Sequence, residues 1–174
     1  KQRLMRDYGL PAHDANLLTE TKAMGDFFEE AVSTYTGDPK AVSNWMLGDL
    51  SYYLNTENLE IDESAITPKH IVDMLKLIDN GTISGKIAKE IFPEMFETGK
   101  MPHTIVEEKG MTQISGEDEI TKIIDRVLEE NASTVQEYRA GKEKAFGFLV
   151  GQAMRLTKGR ANPQLVNKLL RERL

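Results

Sequence analysis

An all-α fold is predicted by three observations. Apolar residues recur at the 3.6-residue helical period along most of the chain, and no stretch alternates apolar and polar residues long enough to make a half-buried strand. Asp38-Pro39, Thr67-Pro68 and Asn162-Pro163 each place an acceptor side chain before a proline, the pair that opens a helix because the cap satisfies a free N–H and proline lacks one.

The first long helix is expected from Leu18 to Thr34, with Ala23, Met24, Phe27, Phe28 and Ala31 on one stripe and Gly37 closing it. Asp38-Pro39 restarts the chain, and Val42, Trp45, Met46, Asp49, Leu50 and Tyr53 continue a mostly apolar face. After Thr67-Pro68, a helix aligns Ile71, Met74, Leu75 and Ile78 before Asn80-Gly81. Ser84 caps a helix holding Ile87, Ala88, Ile91, Phe92 and Met95, which Pro93 is expected to kink or split. Periodicity lapses over Glu107–Gly116, the best linker in the chain, so the domain boundary is set near Lys109: a helical domain over 1–109 and a tail over 110–174. In the tail, Ser115-Gly116-Glu117-Asp118 reads as a capping box ahead of Ile120, Ile123, Ile124, Val127 and Leu128. A short helix over Ser133–Arg139, a break at Gly141, a helix from Lys142 to Thr157, a stop at Gly159 and a last helix from Asn162-Pro163 complete a bundle of three or four short helices.

Charge is unevenly spread. Arg139–Leu174 holds nine Lys or Arg against two acids, about +7, within a 174-residue chain of net charge −6, so the remainder carries −13. A basic module on an acidic body is the footprint of a polyanion binder, although a solvated helix face carries the same composition. No apolar run approaches the roughly 20 residues that span a bilayer, and no signal-peptide core follows Lys1. Zero cysteines exclude disulfides and thiolate chemistry and fit a reducing, cytoplasmic setting. The missing initiator Met suggests a piece of a longer protein.

No catalytic constellation emerges. His13, His70 and His103 stand singly, without the spacing that puts two ligands on one helical face. Gly81-Thr82-Ile83-Ser84-Gly85-Lys86 is short of a phosphate loop by one residue, follows a helix, and has Ile87 where magnesium needs Ser or Thr, so it reads as a helix–helix turn. Carboxylates fall on polar faces and caps. Trp45, Tyr52 and Tyr53 are expected in the core, Phe146 on the buried stripe of its helix, and Phe148 off that stripe, against a ligand or the preceding helix.

Gly147 and Gly151 stand four apart inside an otherwise good helix, where each costs about 1 kcal/mol relative to alanine. Either another helix packs closely there or a sugar-phosphate backbone approaches. Lys142 and Lys144 are expected in the first turn of that helix, and Lys158-Gly159-Arg160 with Asn162 at the start of the next, two neighbouring helix starts suited to phosphate oxygens.

The run Tyr138–Pro163, YRAGKEKAFGFLVGQAMRLTKGRANP, resembles the C-terminal domain of GatB, the B-subunit family of the bacterial tRNA-dependent amidotransferases, which is similar to the YqeY-like family. Leu10–Thr19 and Asn80–Phe92 resemble the helical domain of the same family. The resemblance implies a helical connector and a YqeY-like tail from a ligase that amidates mischarged Asp-tRNA(Asn) or Glu-tRNA(Gln), working with A and C subunits. It implies that ATP and Mg²⁺ are used in a cradle domain outside these residues, so that no cofactor, metal or catalytic residue is expected here. It also implies that the tail meets the tRNA elbow on its D-loop side, through Lys142, Lys144, Gln152, Arg155, Lys158, Arg160 and Asn162. No membrane partner is expected without a spanning segment, and no DNA partner, because the two glycines and apolar side chains of the Lys142–Thr157 helix leave it few base-reading donors. The alternative is a helical scaffold that binds a partner subunit rather than RNA.

Overall fold

Pro39 and Pro68 open helices in the computed structural model, which describes residues 1–174, and the chain is all-α. It divides into two compact units, Lys1–Gly110 and Met111–Leu174.

The first unit begins with α1 (Gln2–Tyr8) and α2 (Ala12–Leu17), which the periodicity did not reveal because each is two turns or less. Helix α3 (Lys22–Thr34) starts later than expected: Leu18–Thr21 forms a turn, and Thr21 Oγ1 accepts from Met24 N at 3.2 Å. Gly37 does not close α3. The helix ends in extended backbone at Tyr35, whose ring lies against Gly37; a Cβ there would fall 2.2 Å from the phenol oxygen, so close approach is what requires glycine.

Helix α4 (Pro39–Trp45) is capped by Asp38, which accepts from Lys40 N at 2.9 Å, and it runs through a π turn at Met46–Leu50 into α5 (Ser51–Glu57). The buried series there is Val42, Met46, Leu50, Leu54, in steps of four. Four exceeds the α period of 3.6, and the wider turn absorbs the drift. The extra residue advances the phase and turns Tyr52 outward: it is 64% exposed, which corrects the expectation of a core residue. Trp45 and Tyr53 stack on the buried Phe92 at 5.9 and 5.6 Å between ring centres.

Helices α6 (Pro68–Asp79), α7 (Gly85–Thr98) and α8 (Pro102–Lys109) complete this unit. Helix α7 is continuous through Pro93, so the proline does not split it; the residue is exposed and contributes no N–H to the ladder. The Gly81–Lys86 segment joins α6 to α7, with Ser84 Oγ accepting from Ile87 N at 3.2 Å. Glu107–Lys109, expected as linker, is the last turn of α8, and Gly110 caps it in the left-handed region at φ 59°.

The second unit packs α9 (Glu117–Glu130), α10 (Ala132–Arg139), α11 (Lys144–Leu156) and α12 (Pro163–Arg173) around Ile120, Ile124, Val127, Leu149, Ala153, Val166 and Leu170. Gly116 rather than Ser115 occupies the N-cap of α9, with no side-chain cap; the acids Glu117, Asp118 and Glu119 instead meet the positive end of the helix dipole. Before α9 the chain is held by a single parallel bridge, with Ile114 N donating to Arg160 O at 2.6 Å and Asn162 N to Ile114 O at 2.9 Å.

Candidate nucleic-acid interface

Helix α11 buries Ala145, Leu149 and Ala153 in the core of the second unit. The opposite side carries Lys144, Gly147, Phe148, Gly151 and Arg155, all exposed and aligned by the helical period. Phe148 is 48% exposed, while Phe146 is half-buried, 5.8 Å from Tyr138 and beneath the Arg171 guanidinium at 5.2 Å. A Cβ built on Gly147 or Gly151 would meet no atom within 4 Å. Close helix packing therefore does not explain the glycines. Each costs the helix about 1 kcal/mol and leaves bare backbone facing solvent.

The seven residues expected to contact RNA fall along one helix and its two ends. Lys142 lies before α11 rather than in its first turn: Ala145 N donates to its carbonyl at 3.1 Å, and its ammonium stands 3.6 Å from Glu137. Lys144 is the first helical residue. Gly141, Lys142, Glu143 and Lys144 line a shallow depression of about 440 Å³. Gln152 is half-buried on the flank of α11, and Arg155 is exposed in its last turn.

Beyond α11, Thr157 is buried; its hydroxyl donates to Ala153 O at 3.1 Å and accepts from Ala161 N at 3.2 Å. This holds Lys158 and Gly159 in the left-handed region at φ 53° and 76°, with Gly159 N donating to Met154 O at 2.7 Å. Lys158 is therefore presented from a fixed turn. Arg160 is partly spent, its Nε donating to Thr112 O at 2.9 Å. Asn162 caps α12, accepting from Gln164 N at 3.0 Å and Leu165 N at 3.2 Å.

The two helix starts are not neighbours. They flank α11, whose length over Lys144–Leu156 separates them by about 18 Å at 1.5 Å per residue. The sequence places them near each other because a short loop joins α11 to α12, but the start of α12 follows the end of α11. A ligand engaging both must extend along the helix.

The unit as a whole has eleven cations and nine acids, and the asymmetry lies within it. Six acids lie on α9, whereas Lys142–Leu174 contains only Glu143 and Glu172. Lys142 and Arg173 pair with Glu137 and Asp125, but Lys144, Arg155, Lys158 and Lys168 reach no carboxylate. Arg155 and Lys158 also complement the negative end of the α11 dipole, a stabilising role that leaves their donors open to solvent.

The histidines do other work. His70 is buried, its Nδ1 accepting from Thr67 N at 3.0 Å and its Nε2 donating to Gly99 O at 2.8 Å; His103 pairs with Asp73 at 2.9 Å, and His13 is exposed. No group of three His, Cys, Asp or Glu side chains converges as a metal site would require. The Gly81–Lys86 segment is a turn between two helices, as its sequence suggested, and Ile87 after it is buried. Sequence reasoning missed the Arg160–Thr112 and Thr157–Ala161 contacts; the first joins positions far apart in the chain, and nothing local signals it. No helix is long and apolar enough to cross a membrane.

Residues 26–174 match the family model described as the GatB domain. The chain belongs to the GatB domain family. Among GatB relatives, the chain is 54% identical over 174 residues to the B subunit of the aspartyl/glutamyl-tRNA(Asn/Gln) amidotransferase of Thermoanaerobacter sp. (strain X514). The same-named proteins of Thermotoga maritima and Shouchella clausii are each 52% identical to it, over 173 and 174 residues. These matches cover 99 to 100% of this chain and 36% of each relative, so the chain spans about a third of the GatB proteins it matches.

Proposed function

We propose that the Met111–Leu174 unit is a tRNA-docking arm of the amidotransferase B subunit, holding Asp-tRNA(Asn) or Glu-tRNA(Gln) at the elbow, on its D-loop side. In this reading the chain serves a complex with A and C subunits in the cytoplasm, and ATP and Mg²⁺ act in parts of the protein beyond it. The observation that carries the proposal is the exposed side of α11: two glycines with nothing packed on them, between cations that no carboxylate neutralises. Phosphate and ribose approach such a surface closely, and Lys144, Arg155 and Lys158 supply donors along about 20 Å of it. Helical RNA is read mainly by shape, 2′-hydroxyls and phosphates, which suits a surface that has few base-reading side chains.

Titration of the chain with mischarged tRNA at two salt concentrations tests this. Each phosphate neutralised contributes about one unit to the slope of log affinity against log salt, so affinity should fall steeply between ~50 and ~200 mM. Lys144→Ala and Arg155→Ala should each reduce that slope by about one. Salt-insensitive binding, or no binding at low salt, overturns the proposal; a complex with purified A subunit whose formation blocks the α11 surface favours the scaffold instead.

A further inference from the structure

We infer that the exposed side of α11 receives one unpaired nucleotide of the RNA, with its base stacked on Phe148; this rests on the docking reading and deepens it. Three features of the helix converge. Phe148 is 48% exposed on a rigid helix. Of its neighbours at i±3 and i±4, Ala145 is buried, Gly151 has no side chain, and Lys144 and Gln152 are polar, so no large apolar side chain of its own helix covers the ring. Lys144 lies one turn before it and Arg155 two turns after, about 6 and 10 Å away along the axis, and neither has a carboxylate partner.

These features select the occupant. A flat apolar ring beside uncovered backbone takes a flat apolar partner, and the flanking cations require that partner to be joined to anions on both sides. A nucleotide within a strand satisfies both conditions: the base lies on the ring, the ribose passes over Gly151, and the adjoining phosphates reach Lys144 and Arg155. A base inside a duplex presents no free face, so the occupant is a loop or bulge nucleotide. Because every base has a π-face, the contact reads unpairedness rather than sequence. Phosphate contacts alone leave the exposed ring unused.

The test compares the chain with Phe148→Ala and Phe148→Trp, each against tRNA and against a blunt RNA duplex with the same number of phosphates, at two salt concentrations. Phe148→Ala should weaken tRNA binding about 5- to 150-fold, the range for losing one base stack, with the salt slope unchanged because no cation is removed. Phe148→Trp should bind tRNA like the unsubstituted chain, and Phe148→Ala should leave duplex binding unaltered. Helical circular dichroism equal to that of the parent chain shows that the variants fold. Steep, salt-dependent tRNA binding that Phe148→Ala leaves intact overturns this inference and spares the docking proposal. So does an equal loss on tRNA and duplex, or a Phe148-dependent affinity for phosphatidylglycerol vesicles that exceeds the affinity for tRNA. Absence of tRNA binding by the unsubstituted chain at low salt overturns both.

Discussion

Arg160 Nε donates to the backbone carbonyl of Thr112 at 2.9 Å, and Ile114, two residues on, exchanges hydrogen bonds with the Arg160 carbonyl and the Asn162 amide. The start of the second unit is thereby tied to the turn between α11 and α12.

Arg160→Ala should therefore lower stability by about 1 kcal/mol, the value of a charge-assisted hydrogen bond reduced for its partial exposure. A fall in the urea midpoint measures it, and faster hydrogen exchange at the Ile114 amide locates it. RNA affinity lost on replacing Arg160 consequently mixes structure with contact, whereas Lys158→Ala, at an exposed turn residue, removes a contact and otherwise only its complement to the α11 dipole.

Gly147→Ala and Gly151→Ala should each stabilise the protein by up to about 1 kcal/mol, because both positions are helical and open. The same changes should weaken tRNA binding, since a methyl group keeps the backbone of the RNA at a distance. Thermal unfolding and tRNA titration on one sample check both signs. Gain of stability with unchanged affinity would remove the glycines from the interface.

The His70 ring joins the N-terminus of α6 to the turn between α7 and α8. His70→Ala removes a buried ring and leaves the Thr67 N–H and the Gly99 carbonyl, both part-buried, without that partner, and should cost roughly 1–2 kcal/mol. His103→Ala, removing an exposed pair with Asp73, should cost under about 1 kcal/mol. Urea unfolding of the two variants side by side checks the difference.

Tyr35 donates to Asp79 Oδ2 at 2.6 Å; burial first, then the bond to Asp79, pushes its phenol up to about 12. The unfolded chain releases that proton near pH 10, the folded one later, so the neutral phenol favours the fold. Its contribution is complete below pH 10 and is lost as the pH climbs from about 10 to about 12. Tyr35→Phe should flatten the decline in stability across that window, as followed by urea midpoints, and remove a tyrosinate absorbance step near pH 12.

Local chemistry was legible in advance. Asp38, Ser84 and Asn162 cap the helices they were expected to cap, because a cap bonds within three residues of itself. The apolar stripes of α6, α7 and α9 follow a period written in the chain. Phe148 lay off the buried stripe for the same reason, and it is exposed. Tyr52 was not legible: one π turn between Met46 and Leu50 shifts every later side chain, and that turn is selected by what the buried residues must reach.

The sequence by itself determined the helical class, most helix starts, the family and the concentration of cations near the C-terminus, all of which depend on residue type and spacing along the chain. Only the tertiary structure decided that nothing packs on Gly147 and Gly151, that the two basic helix starts stand at opposite ends of α11, and that Arg160 is engaged with Thr112. Those facts concern what lies beside a residue in space, which packing sets and neighbours in sequence do not.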